Sequence, residues 1–121
     1  MTLEIVSVLD QGDPEMEHIL LKATAHCSLG HFLLADGRRG PDLADTTRVC
    51  QTYWFPDTEI NAGDYVSLWT KRGKNTTDAM EDGTPVHRFF WNLPAPVWTH
   101  SGDCALLFDL RAWKCFRVNE N

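Results

Sequence analysis

Along this chain, short apolar runs with a two-residue period alternate with clusters of Gly, Pro, Asp and Asn, a pattern that predicts strands and turns rather than helices. The clearest unit is residues 53–71, YWFPDTEINAGDYVSLWTK. Its first run, Tyr53-Trp54-Phe55, must stop at Pro56, which lacks a backbone donor and has a fixed φ. Asn61-Ala62-Gly63-Asp64 supplies the permissive residues of a tight turn. The second run, residues 65–69, is aromatic and β-branched, as a half-buried strand requires.

Residues 3–9 read as an opening strand, followed by the turn cluster 10–14. Residues 18–25 place Ile19, Leu21, Ala23 and Ala25 on one face and His18, Leu20, Lys22 and Thr24 on the other. Helix propensity alone admits a helix over 15–25, but the alternation favours a strand. A short strand is expected at 31–35, and Asp36-Gly37 ahead of Arg38-Arg39-Gly40-Pro41 predicts a hairpin turn. Residues 47–55 read as the strand that Pro56 ends, and 72–85 as a long polar loop of the kind that often carries binding residues. Residues 86–91 alternate. Residues 93–98 are interrupted by Pro94 and Pro96 and suit a sheet edge, 104–108 form a buried strand, and 113–118 close the sheet. Seven to nine short antiparallel strands argue for an all-β sandwich.

At 121 residues the chain suits a single domain spanning 1–121. Five Trp and six Phe supply large buried area for one core. The net charge of -6 opposes long-range attraction to nucleic acid and to anionic membrane surfaces, and no apolar run approaches the length of a membrane span. Cys27, Cys50, Cys104 and Cys115 are dispersed without a CxxC pair, and the first residues lack a secretory signal pattern. The expectation is a reduced, intracellular protein whose cysteines act as small buried hydrophobes, with one or two disulfides as the competing reading.

Several motifs together resemble the lamin tail domain family. Leu29 to Asp36, with Gly30, Phe32, Leu34 and Asp36, is similar to its short "Leu-x-Gly-Trp-x-Leu-x-Asp" strand. Phe55-Pro56 resembles its Phe-Pro step, and Ile60-x-Ala62-Gly63 its turn into the strand at 65–69. Trp98, Ser101-Gly102-Asp103 and Ala105-x-Leu107-x-Asp109 look like its Trp, Gly-Asp and closing-strand motif. Two positions depart: Phe32 stands where the family usually has Trp, and Leu110-Arg111-Ala112 replaces the Gly that typically follows Asp109. The resemblance covers about residues 3–118. It implies an immunoglobulin-like β-sandwich that binds or tethers a protein partner without catalysis, with Trp69 and Trp98 at core positions.

Other chemistry is weaker. His26, Cys27 and His31 with Cys50 lack the paired spacing of a structural zinc site, and no cofactor motif occurs. A nucleophile built on Cys104 with His100 or His87 needs a cationic neighbour to lower the thiol pKa, whereas Cys104 opens an apolar strand. Lys71, Arg72 and Lys74 form a basic stretch able to contact phosphates, so nucleic-acid binding is the alternative to a protein partner. Trp54, Trp91 and Trp113 are candidates for the surface, and Trp91 joins Lys71, Arg72 and Lys74 as a candidate contact residue.

Overall fold

The computed structural model describes residues 1–38, 48–100 and 102–119. Among these, β1 (Leu3–Leu9), β2 (His18–Ala23), β7 (Tyr65–Trp69), β9 (Pro85–Phe90) and β8 (Thr76–Ala79) form one sheet in the order β1-β2-β7-β9-β8. A second sheet has the order β10-β4-β5, from β10 (Asp103–Asp109), β4 (Phe32–Arg38) and β5 (Arg48–Trp54). A two-stranded ribbon pairs β3 (Cys27–Ser28) with β6 (Glu59–Ile60), and a single 3-10 turn spans Leu29–His31. The protein is an all-β sandwich, with ten strands among the described residues rather than seven to nine. It is not wholly antiparallel: β7 and β9 run parallel because the chain leaves β7, crosses to the sheet edge as β8, and turns back between the two.

Burial follows strand parity. Ile19, Leu21 and Ala23 of β2 face inward, as do Val66 and Leu68 of β7 and Phe89 of β9. They meet Phe32 and Leu34 of β4, Phe55, Trp91 and Trp98. A bulge between Ile5 and Ser7 lets β1 direct both Ile5 and Val8 at the core despite their odd spacing. β5 stops before Pro56, as its ring demands. Gly63 turns into β7 at φ 90°, a conformation glycine adopts without a side-chain clash. At Gly30 the constraint is space, since a Cβ would lie 3.3 Å from the Asp57 Cα and overlap its carboxylate.

Four expectations are corrected. Asp36-Gly37 is strand, not turn: β4 and β5 stay paired as far as Arg38 and Arg48, so their connection falls at 39–47, outside the described residues. Residues 76–79 form an edge strand that reads as loop because all four side chains are exposed and none marks an apolar face. Residues 93–98 and 113–118 are not strands. Pro94 and Pro96 break the first segment, and 113–118 pairs with no strand among the described residues despite its alternation. Residues 111–119 are all exposed, Trp113 included, although its ring meets that of Trp54 edge-on at 4.7 Å. Among the described residues no helix is long and apolar enough to cross a membrane.

Candidate functional site

The inward parity of Val66 and Leu68 sends Tyr65, Ser67 and Trp69 to the outer face of the five-stranded sheet. Trp69 is therefore not in the inter-sheet core where the family resemblance puts it, although it is only 8% exposed. His18 stacks on its ring at 3.9 Å and 13°, with the Arg88 guanidinium 5.0 Å and the Lys71 ammonium 5.4 Å from the ring centroid. Both cations are at cation–π distance. The indole N–H donates to Ser67 Oγ at 3.0 Å, which satisfies the hydroxyl beneath it. On one side rise Leu9 and Leu20, on the other Met80 and Val86, enclosing a groove of about 260 Å3. Arg88 stands in it 3.9 Å from Asp78 of β8. Beyond β8 no strand pairs among the described residues, so an unpaired backbone edge borders the groove.

The candidate contact residues divide. Lys71 caps Trp69 and lies 3.9 Å from Glu15, placing it at the groove's end. Arg72 and Lys74 project from the exposed segment leading to β8. This segment stays close to the sheet because Gly73 packs on the Phe90 ring and its N–H donates to Asn92 Oδ1 at 3.0 Å. Trp91 is not a surface anchor: it is 8% exposed, lies 6.0 Å from Trp98, and donates its indole N–H to Thr52 O. With Phe89 inward and Phe90 outward, parity returns Trp91 to the core. The same parity argument, applied to Ser67 and Trp69, was the signal in the sequence for the groove floor.

The other chemical candidates are scattered. His26 faces Glu59 at 3.6 Å, and among the described residues no group of three His, Cys, Asp or Glu side chains is arranged to hold a metal ion. Cys104 directs its thiol to Gly37 O, His87 pairs with Asp64 at 3.0 Å, and His100 contacts Thr99 Oγ1 at 3.0 Å. Cys50 and Cys115 are exposed rather than buried. Burial pushes the Cys27 thiol up, with Glu59 adding to the effect against a hydrogen bond from Thr2. Asp64 is held below the usual carboxylate range: burial works against the charge, but His87 and the Asn61 N–H more than offset it.

A second cluster occupies the open end of the sandwich. Asp36 faces inward from β4 and is 7% exposed, and its Oδ1 has no hydrogen-bond partner among the described residues. Burial raises its carboxyl to about 6, with the Asp103 charge next; Arg38 opposes, Glu17 adds and His100 opposes. Neither comparison with known proteins finds a relative: no family model matches the chain, and no curated protein does.

Proposed function

We propose that this chain is a non-catalytic interaction module of the lamin tail type, an immunoglobulin-like sandwich that binds a protein partner through the outer face of its five-stranded sheet. The observation that carries the reading is the open β8 edge lying directly beside an apolar groove with Trp69 and Arg88 at its end. An extended segment pairing with β8 gains main-chain hydrogen bonds, while every second side chain reaches over the groove. Leu9, Leu20, Met80 and Val86 suit an apolar side chain, and Arg88 with Lys71 suits an acidic one. The sequence motifs of the lamin tail family point the same way.

The test is capture of partners from extract by the immobilised protein, compared with Met80→Asp and with a triple Lys71, Arg72, Lys74→Ala variant. Loss of the captured protein with Met80→Asp, at unchanged folding and after nuclease treatment, supports this reading. Capture that survives Met80→Asp but disappears with the triple variant or with nuclease refutes it in favour of nucleic-acid binding.

A further inference from the structure

Three carboxyl groups meet near the open end of the sandwich, and their satisfaction is unequal. Glu17 accepts hydrogen bonds from Gly12 N, Thr70 Oγ1, Val97 N and Trp98 N at 2.6–3.2 Å. It thereby ties the Pro-containing segment 93–98 to the start of β2. Asp103 accepts from Arg38 Nε at 3.2 Å, Thr99 N at 3.1 Å and His100 N at 2.9 Å. Asp36, by contrast, keeps Oδ1 without a partner among the described residues. Buried polar atoms are almost always satisfied, and an orphaned acidic oxygen is an exception that asks for a reason.

Asp36 lines a crevice of about 310 Å3. Leu93, Pro94 and Val97 form an apolar wall, while Arg38, His100 and Cys50 stand at its border. The local backbone accounts for the opening. Between the pairs Ala35↔Thr52 and Gly37↔Val49, β5 carries one more residue than β4, so a bulge at Cys50-Gln51 lies opposite Asp36. The bulge interrupts the ladder where the apolar core ends. The crevice shares no lining residue with the groove around Trp69 and does not depend on the function proposed for it.

We infer that this crevice is a binding site for a cationic nitrogen donor, an alkylguanidinium or alkylammonium group, whose N–H groups bond the Asp36 carboxylate and whose stem lies on Leu93, Pro94 and Val97. A cation fits the net acidic surroundings of Glu17, Asp36 and Asp103, and a rotation of the Asp36 carboxylate, whose Oδ1 is closed to solvent as well as unpartnered among the described residues, presents that acceptor to an N–H donor. Arg38 and His100 at the border restrict the ligand to a single positive charge. These groups, with Asp103, Glu17 and Cys50, are the charged or titratable side chains set against Asp36 among the described residues. Occupancy requires the ionised carboxylate, so affinity rises as pH increases through about 6. The same cation can belong to a free small amine or to an Arg or Lys side chain of a polypeptide.

The test titrates the intact protein with propylguanidinium, propylammonium and tetramethylammonium, following amide chemical shifts. N-acetylated, C-amidated Arg and Lys peptides provide the polypeptide arm. Saturable shifts centred on Gly37, Cys50 and Val97 with the N–H donors, but not with tetramethylammonium, support the site. Response to the peptides assigns a protein source, and response to the free amines alone assigns a small molecule. Asp36→Asn is expected to weaken binding roughly tenfold or more, the loss of one charge-assisted hydrogen bond. Proton release on binding near pH 5, measured calorimetrically in buffers of different ionisation enthalpy, tests the same carboxylate in the unaltered protein. Absence of saturable shifts, equal response to tetramethylammonium, or binding without proton release overturns the inference.

Discussion

Replacing Asp36 by Asn keeps the shape of the side chain and removes the charge that the sandwich accommodates least well. The carboxyl is raised from an ordinary value of 3.8 to about 6 because burial disfavours its ionised form, with Asp103 adding repulsion. A carboxyl whose pKa is higher folded than unfolded contributes stability that is whole below about 3.8 and is lost as pH climbs through about 6. The displacement of about two units corresponds to at most about 3 kcal/mol, and solvent in the adjoining crevice reduces this to about 1–3 kcal/mol. Asp36→Asn removes that dependence. Relative to the unaltered protein, the variant should gain about 1–3 kcal/mol at pH 7.5 and little at pH 3.5. Urea unfolding of both proteins across this range, followed by tryptophan fluorescence, gives the difference directly and cancels the contributions of other carboxyls. A difference independent of pH, or a variant less stable at pH 7.5, would refute the assignment of an uncompensated buried carboxylate.

The remaining predictions separate layers of the structure. Trp69→Ala, on the open outer face, should cost about 1–3 kcal/mol, whereas Phe32→Ala in the enclosed core should cost about 3–5 kcal/mol; equal losses in denaturant midpoint at constant slope would return Trp69 to the core. Gly30→Ala must displace Asp57 and should cost about 1–3 kcal/mol in thermal unfolding, through overpacking rather than backbone strain. Asp64→Asn loses ionic hydrogen bonds with His87 and the Asn61 N–H and should cost about 1–3 kcal/mol at pH 7. Because the folded Asp64 pKa is depressed, its contribution is present above about 3.8 and lost as pH falls through the folded value. Acid titration of unfolding should therefore show the two Asp64 forms converging at low pH.

Local chemistry made much of the architecture legible. The alternation of Ile19, Leu21 and Ala23 against His18, Leu20 and Lys22 named the buried face of β2, because side chains on a strand have only two directions. Pro56 ended β5, and Gly63 opened the turn into β7, because each acts through its own backbone. Where the expectation failed, the deciding contact was distant in sequence. Asp36-Gly37 has hairpin-turn chemistry, yet β10 pairs with both residues and β5 pairs on either side of Asp36, which holds them extended. Thr76 to Ala79 look like loop because an exposed edge needs no apolar side, and only pairing with β9 makes them a strand.

The candidate sites show the same division more sharply. Sequence parity alone separates Trp69 from Val66 and Leu68, but not which side of the sheet is covered; the opposing sheet, with Phe32 and Leu34, makes that choice. Lys71 came to lie over the Trp69 ring beside the groove, while Trp91, equally aromatic and next to a turn, was drawn into the core beside Trp98. Nothing near Asp36 in the chain distinguishes it from a surface aspartate. Its isolation arises from Glu17 and Asp103 taking the available donors and from a bulge in β5 opposite it. Strand period and turn residues are properties of neighbouring atoms, so the amino-acid order determined them. The covering of faces and the allocation of hydrogen-bond donors depend on segments tens of residues apart, so only the packed tertiary structure decided them.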